Sequence, residues 1–336
     1  MTGLRWLVYA LGGGMGHLTR AGALARMAAR QGHAVTVLTN SPFAPGLPLE
    51  DVLGPGVWVE RLGAALDKRA VSAAVARWLQ DARPDVLVVD TFPRGLGGEL
   101  APLLPGLRAR KVLVHRDLNP TYVERFGLAH AVEAFDLLLV PGEDAPFASH
   151  PRAVRTAPWL LLEAGELLPR EEARMRLGVA EADARPVVAV MGCGTPAEVD
   201  EAGAIASRLQ ARLGDAARVR WLVPPGGSGS LGALGVRVWP ALAVLPGVDV
   251  LVGAGGYNTV QEARATGTPF VALARSRLYD RQALRLRPDE LAGSVEALEA
   301  RAEVLARSRP ARGAGPSGSS GTRDAVALIE RLPLSA

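Results

Sequence analysis

"RWLVYALGGGMGHLTR", residues 5–20, decides how the rest of the chain is read. A short apolar run ends in Gly12, Gly13 and Gly14, and from His17 onward the apolar residues take helical spacing until Gly32 stops them. A strand that turns tightly into a helix through glycines is the first half of a βαβ unit. The loop can be a dinucleotide cradle, a phosphate cradle, or the wall of a site in which His17 does chemistry. A dinucleotide cradle needs a third glycine where His17 stands, and an acid at the end of the next strand to hold a ribose. That strand, HAVTVLTN (33–40), ends in Thr39 and Asn40, so the dinucleotide reading fails. What remains is a helix N-terminus open to close approach with an imidazole beside it, or a plain turn that His17 caps.

The alternation continues through PDVLVVDTF (84–92), KVLVHRD (111–117) and FDLLLVPG (135–142). Unbroken Val/Leu runs between helical patterns predict a parallel sheet buried on both faces. The scheme restarts at RPVVAVMGCGT (185–195), followed by a helix over 196–214 and strands within 219–225, 235–242, 248–256 and 268–275. The expected architecture is α/β, with two Rossmann-like doubly wound domains facing across a cleft. Residues 1–155 form the first domain, 156–322 the second, and 323–336 a C-terminal helix, with the hinge inside 154–178. SRPARGAGPSGSSGT (308–322) reads as a flexible loop.

With 336 residues, 49% of them apolar, and a net charge of +4, the chain has the make-up of a globular protein of two domains. No run of about eighteen apolar residues suits a membrane span, and the N-terminus lacks a signal-peptide pattern, so a cytoplasmic location is expected. The single cysteine, Cys193, excludes an internal disulfide and a cysteine-based zinc site. The local basic cluster of Arg108, Arg110 and Lys111 lacks interleaved aromatics, which argues against a nucleic-acid partner. RGLGGELAPLLPGLRAR (94–110) suits a core-facing helix or, alternatively, peripheral contact with the inner face of a membrane. No Asp-x-Asp pair occurs, and neither a metal nor a cofactor is expected.

In the second half, GAGGYNTVQEARATGTPFV (253–271) again runs from strand through glycines into a helix. Thr259 with Glu262, and Asn258 with Gln261, have the spacing of a capping box. The functional alternative is that amides from Gly256 to Thr259 face a phosphate while Glu262 accepts both hydroxyls of a ribose. GCGTPAE (192–198) repeats the device, with Thr195 as N-cap, Pro196 at the first helical position and Glu198 at the third. Two helix N-termini aimed at one diphosphate would neutralise it without metal.

GGGMGHLTR together with GGYNTVQEARATGTPFVALAR and the following DRQ resembles the metal-independent GT-B glycosyltransferases. The match is to glycosyltransferase family 28 and its bacterial predicted glycosyl transferase relatives, and is similar to the enzyme that adds N-acetylglucosamine to lipid I. The resemblance implies an acceptor on the first domain and a nucleotide sugar, usually a UDP-sugar, on the second. It implies that Glu262 holds the ribose, that Asn258 and Thr259 lie near the phosphates, and that Gly192, Gly194 and Thr195 form the other phosphate loop. Trp239 would flank the base, Asp280 and Gln282 would read donor-sugar hydroxyls beside Arg275, and His17 would be the base. The chain departs from the pattern after Gln282, where it reaches its terminal helices early. That shortening implies loss of part of the second sheet.

The mechanism implied is inverting transfer to an acceptor hydroxyl whose identity the sequence does not carry. Asp90 at the end of its strand either orients His17 or caps a helix before RGLGGELAPLL. On the acceptor side stand Gly14, Gly16, Thr19 and Arg20, joined by His115, Arg116 and Asp117 unless these form a salt-bridged loop. His33, His130 and His150 read as surface or turn residues. A nucleotide-sugar hydrolase, which shares the Gly14, Gly16, His17 and Arg20 opening, is an alternative, as are a 2-epimerase of related fold and a non-catalytic nucleotide-sugar-binding protein.

Overall fold

In β1 (Arg5–Tyr9), Leu7 and Tyr9 enter one apolar layer and Trp6 and Val8 the opposite one, and none of the four is more than 2% exposed. A strand buried on both faces belongs in the middle of a parallel sheet, and that is where the computed structural model has it. The structure describes residues 3–192, 194–226, 231–313 and 320–333. β2 (Ala34–Thr39), β3 (Val57–Arg61), β4 (Val86–Asp90), β5 (Arg110–Val114), β6 (Leu137–Pro141) and β7 (Ala153–Thr156) complete the first sheet, in the order β3-β2-β1-β4-β5-β6-β7. Every pairing in it is parallel. β8 (Val187–Met191), β9 (Arg218–Val223), β10 (Gly235–Arg237), β11 (Val250–Ala254), β12 (Phe270–Leu273) and β13 (Leu291–Ala292) form the second sheet, ordered β10-β9-β8-β11-β12-β13 and also parallel.

Both sheets grow outward in two directions from their first strand, so each has a switch point: β1 beside β4, and β8 beside β11. Loops leaving the carboxyl ends of such strands part there and open a crevice. The doubly wound α/β architecture expected from the Val/Leu runs is therefore present twice.

The chain divides into two compact units. The first runs to Leu161 and includes Leu278–Asp280 and the last helix, Thr322–Glu330; the second runs from Leu162 to Arg277 and resumes at Arg281. The division lies after β7 instead of at 155, because Ala153–Thr156 pairs with β6 as the edge of the first sheet. The last helix buries Ala325, Val326 and Ile329 within the first unit. His33 is 9% exposed and ties that helix down: it accepts from the Leu4 amide through Nδ1 and meets Glu330 Oε1 at 2.9 Å through Nε2. It is an interior link, not the surface residue its sequence context suggests.

Three further expectations are corrected. Residues 94–103 form turns followed by a short 3-10 turn at Leu104–Gly106, not a helix. Their apolar content is nonetheless spent in the core, with Leu100 and Leu104 buried under the first sheet. The strand expected to be lost after Gln282 survives as the two-residue β13, paired with β12. Of the segment 308–322, residues 314–319 lie outside the described residues, but Arg312 before them is anchored. It donates to the carbonyls of Val248 at 2.7 Å and Thr266 at 2.8 Å and to Thr268 Oγ1 at 2.7 Å.

Candidate active site

The glycine loop after β1 leads into the helix Met15–Arg30, whose N-cap is Gly14 with no side-chain cap. His17 therefore does not cap the turn. Its ring lies back over Gly12, where a Cβ would stand 2.2 Å from His17 Cδ2 and 2.6 Å from Nε2, so only glycine leaves room for the imidazole. The Gly12 amide donates to Asn40 Oδ1 at 2.8 Å, so the residue at the end of β2 secures the loop instead of binding a ribose.

Across the switch point, β4 ends at Asp90, which meets His17 Nδ1 through Oδ2 at 2.6 Å. No helix starts at 91–103, so Asp90 caps nothing. Burial opposes ionisation of Asp90, but the Arg20 charge and the His17 bond outweigh it and hold the carboxyl well below the usual carboxylate range. A carboxylate on Nδ1 fixes the tautomer in which that nitrogen carries the proton, leaving Nε2 as an acceptor. The ring is one-fifth exposed and packs on Phe92, which in turn meets the edges of Tyr122 and Tyr279. Tyr279 comes from the Leu278–Asp280 segment of this unit, and its carbonyl accepts from the Asn119 amide.

The acceptor-side residues divide. Gly14 and Gly16 lie at the open start of the helix, whereas Thr19 and Arg20 are buried on its inner face. Arg20 is 1% exposed and engages Asp90, so it cannot line a surface. His115, Arg116 and Asp117 are likewise interior. The Arg116 guanidinium bonds Glu143 at 2.7 Å, the Asp117 amide donates to the same carboxylate, and His115 accepts from the Phe147 amide. Burial pushes the His115 imidazole down to about 4. They form the salt-bridged loop.

At the second switch point, β8 ends against Gly192, where a Cβ would lie 2.2 Å from the Glu198 carbonyl oxygen. Thr195 caps the helix Pro196–Leu213, accepting from the Glu198 amide at 3.3 Å as its spacing predicts. Beside this turn Arg277 pairs with Glu198 at 2.6 Å and Arg275 with Glu201 at 2.6 Å. A pocket at the ends of β8 and β11 is lined by Gly192, Glu198, Gly253 and Arg275, among others.

The helix after β11, Tyr257–Ala265, starts at Gly256 and has no side-chain cap. Neither capping box forms, because Asn258 and Thr259 already lie inside the helix. Glu262 is 6% exposed, and burial alone pushes its carboxyl up to about 8. No described residue supplies it with an ion pair or hydrogen bond. A carboxyl in that condition, in the helix that follows β11, is a candidate ligand-binding group.

Trp239 is half-buried in the loop after β10. Asp280 falls in the first unit, where its charge acts on Arg116, while Gln282 is buried in the second and accepts from the Arg275 amide at 2.9 Å. Sequence reasoning missed Arg277 and the inward turn of Arg20. The spacing of Arg277 two residues after Arg275 was the only signal for the first. Among the described residues no three His, Cys, Asp or Glu side chains gather as a metal site requires, and no helix is long and apolar enough to cross a membrane.

Fold and switch-point geometry give two Rossmann-like doubly wound units, a fold shared with solved GT-B proteins. No family model matches the chain, and no curated protein does. Among solved structures it is similar to the glycosyltransferase of kitacinnamycin, with 19% identity, TM-score 0.59, and 98% of this chain and 100% of that one covered. It is similar to the glycosyltransferase SnogD from Streptomyces nogalater, with 17% identity, TM-score 0.59 and coverage of 99% and 100%. Arabidopsis thaliana UGT89C1 complexed with UDP-L-rhamnose matches with 14% identity, TM-score 0.62 and coverage of 98% and 94%.

Proposed function

We propose that this chain is a nucleotide-sugar-dependent glycosyltransferase, inverting and metal-independent, with a UDP-sugar as donor. The observation that carries the reading is the His17 imidazole, bonded through Nδ1 to Asp90 with Nε2 turned to an open glycine loop. The fold it sits in is shared with proteins solved as glycosyltransferases, among them one holding UDP-L-rhamnose and one holding thymidine diphosphate.

In the proposed reaction His17 Nε2 takes the proton of an acceptor hydroxyl as its oxygen bonds to the anomeric carbon. The bond from that carbon to the diphosphate breaks on the opposite face, so the configuration inverts. Helix N-termini at Gly194–Thr195 and Gly256–Asn258 take the leaving charge, and Glu262 binds the ribose. Gly14 and Gly16 leave space for the acceptor.

Thermal shift with UDP-, dTDP- and GDP-sugars in EDTA tests the donor, because a ligand that binds only the folded state raises the melting temperature. UDP and UDP-sugars are expected to stabilise, and product analysis then separates transfer from hydrolysis. Absence of any shift, or a strict need for Mg²⁺ or Mn²⁺, overturns the reading.

A further inference from the structure

Asp90 serves His17, Arg20 and Thr91, and Arg20 has no place in the proton transfer just described. Arg20 closes a fork on the carboxylate, Nε to Oδ1 at 2.7 Å and Nη2 to Oδ2 at 2.6 Å. Oδ2 is also the oxygen that meets His17 Nδ1, so guanidinium and imidazole share one acceptor atom. Arg20 Nη2 reaches Thr91 Oγ1 at 3.0 Å. Thr91 lies at φ +68°, in the left-handed region that a β-branched residue rarely enters, and strain of that kind persists only where the surroundings over-determine it.

We propose that Arg20 is a positioning residue: its fork holds the Asp90 carboxylate aimed at His17 Nδ1, and so holds the imidazole with Nε2 as the acceptor. The Arg20 charge also keeps Asp90 in the ionised form that can accept from Nδ1. The other charges facing the pair come from neighbouring elements. Arg116, at the end of β5, feels Asp90 but is bonded to Glu143 and also feels Asp280, and the phenols of Tyr122 and Tyr279 stand behind Phe92.

The inference rests on His17 as the base, so the test reads the coupling without requiring turnover. Imidazole ¹⁵N resonances are followed against pH in the ligand-free protein, with His17→Gln assigning the signal. Arg20→Met is expected to shift the His17 Nδ1–H resonance and to lower kcat roughly tenfold or more through misalignment, with KM little changed. Arg20→Lys keeps the charge without the fork, so kcat again falls roughly tenfold. A folded Arg20→Met protein with an unmoved Nδ1–H resonance and native kcat overturns the proposal. If that variant does not fold, Arg20→Lys decides: unchanged kcat together with an unchanged Nδ1–H resonance overturns it. Failure of the base assignment is distinct, since His17→Gln would then transfer sugar normally whatever the resonances show.

Discussion

The two switch points share one plan and are finished in opposite ways. In each, a strand ends in a glycine turn that starts a helix, and a neighbouring strand supplies the other side of the crevice. Each also buries a carboxyl group. At the first, Asp90 is met by Arg20, His17 and Thr91, and its proton affinity falls despite burial. At the second, no described partner meets the Glu262 carboxyl, and burial pushes it up to about 8. A buried charge with its partners in place is complete; a buried carboxyl without them costs stability and is a candidate for a partner from outside. Under the proposed function the first site is machinery already assembled, and the second is a seat for a ligand.

The largest effect expected is at the assembled site. His17→Ala should reduce turnover roughly 10²–10⁴-fold, while UDP affinity, a property of the other unit, stays within about twofold. Near-native turnover in that variant would reduce the glycine loop to a structural turn. Asp90→Asn should come next. It leaves the Arg20 guanidinium buried without its counter-ion and should cost about 3–5 kcal/mol of stability in urea unfolding. Because the folded carboxyl titrates below its unfolded value, its contribution is present above about pH 4 and fades as the pH drops further. The gap between variant and native protein should therefore narrow in acid.

Glu262→Gln should act in the opposite sense. The folded carboxyl, at about 8, holds a proton that the unfolded chain releases near pH 4.3. Native stability therefore declines as pH rises between those values and is lowest above the upper one. The variant escapes that decline and should melt roughly 3–8 °C above the native protein at pH 8.5, with little difference at pH 5. A lower melting temperature at both pH values would mean that Glu262 supports the helix after all.

Much of the fold was legible because its central strands are unbroken runs: Val86–Val89 and Val187–Met191 are buried on both faces and admit no other reading. The edge strands were not. β3 reads VWVER, with Trp58 exposed at 59%, and β7 is only AVRT, so neither carries the continuous apolar signal of a central strand. Within the site, the partnership of His17 and Asp90 was legible from two strand ends that a Rossmann order makes neighbours. The inward turn of Arg20 was not, because its burial depends on a carboxylate 70 residues away. The Thr259–Glu262 spacing was misleading for a local reason: the helix begins at Gly256, so a threonine in the cap position by pattern lies inside the first turn. His115, Arg116 and Asp117 look like an open polar cluster in sequence, but the loop after β6 turns them inward, Glu143 meeting Arg116 and the Asp117 amide and the Phe147 amide meeting His115.

The central claim is that Glu262 awaits the ribose of a nucleotide, and proton release on binding tests it most directly. Two ribose hydroxyls donating to the carboxyl favour its ionised form. With its carboxyl at about 8, Glu262 in the free protein holds a proton at pH 7, so UDP binding should release up to one proton per site. Calorimetry in buffers of different ionisation enthalpy measures that number, which should fall toward zero at pH 9.5. Glu262→Gln should abolish the release and weaken UDP by about 2–3 kcal/mol. UDP that binds at pH 7 with no net proton release, or that binds the variant as tightly as the native protein, would contradict the account.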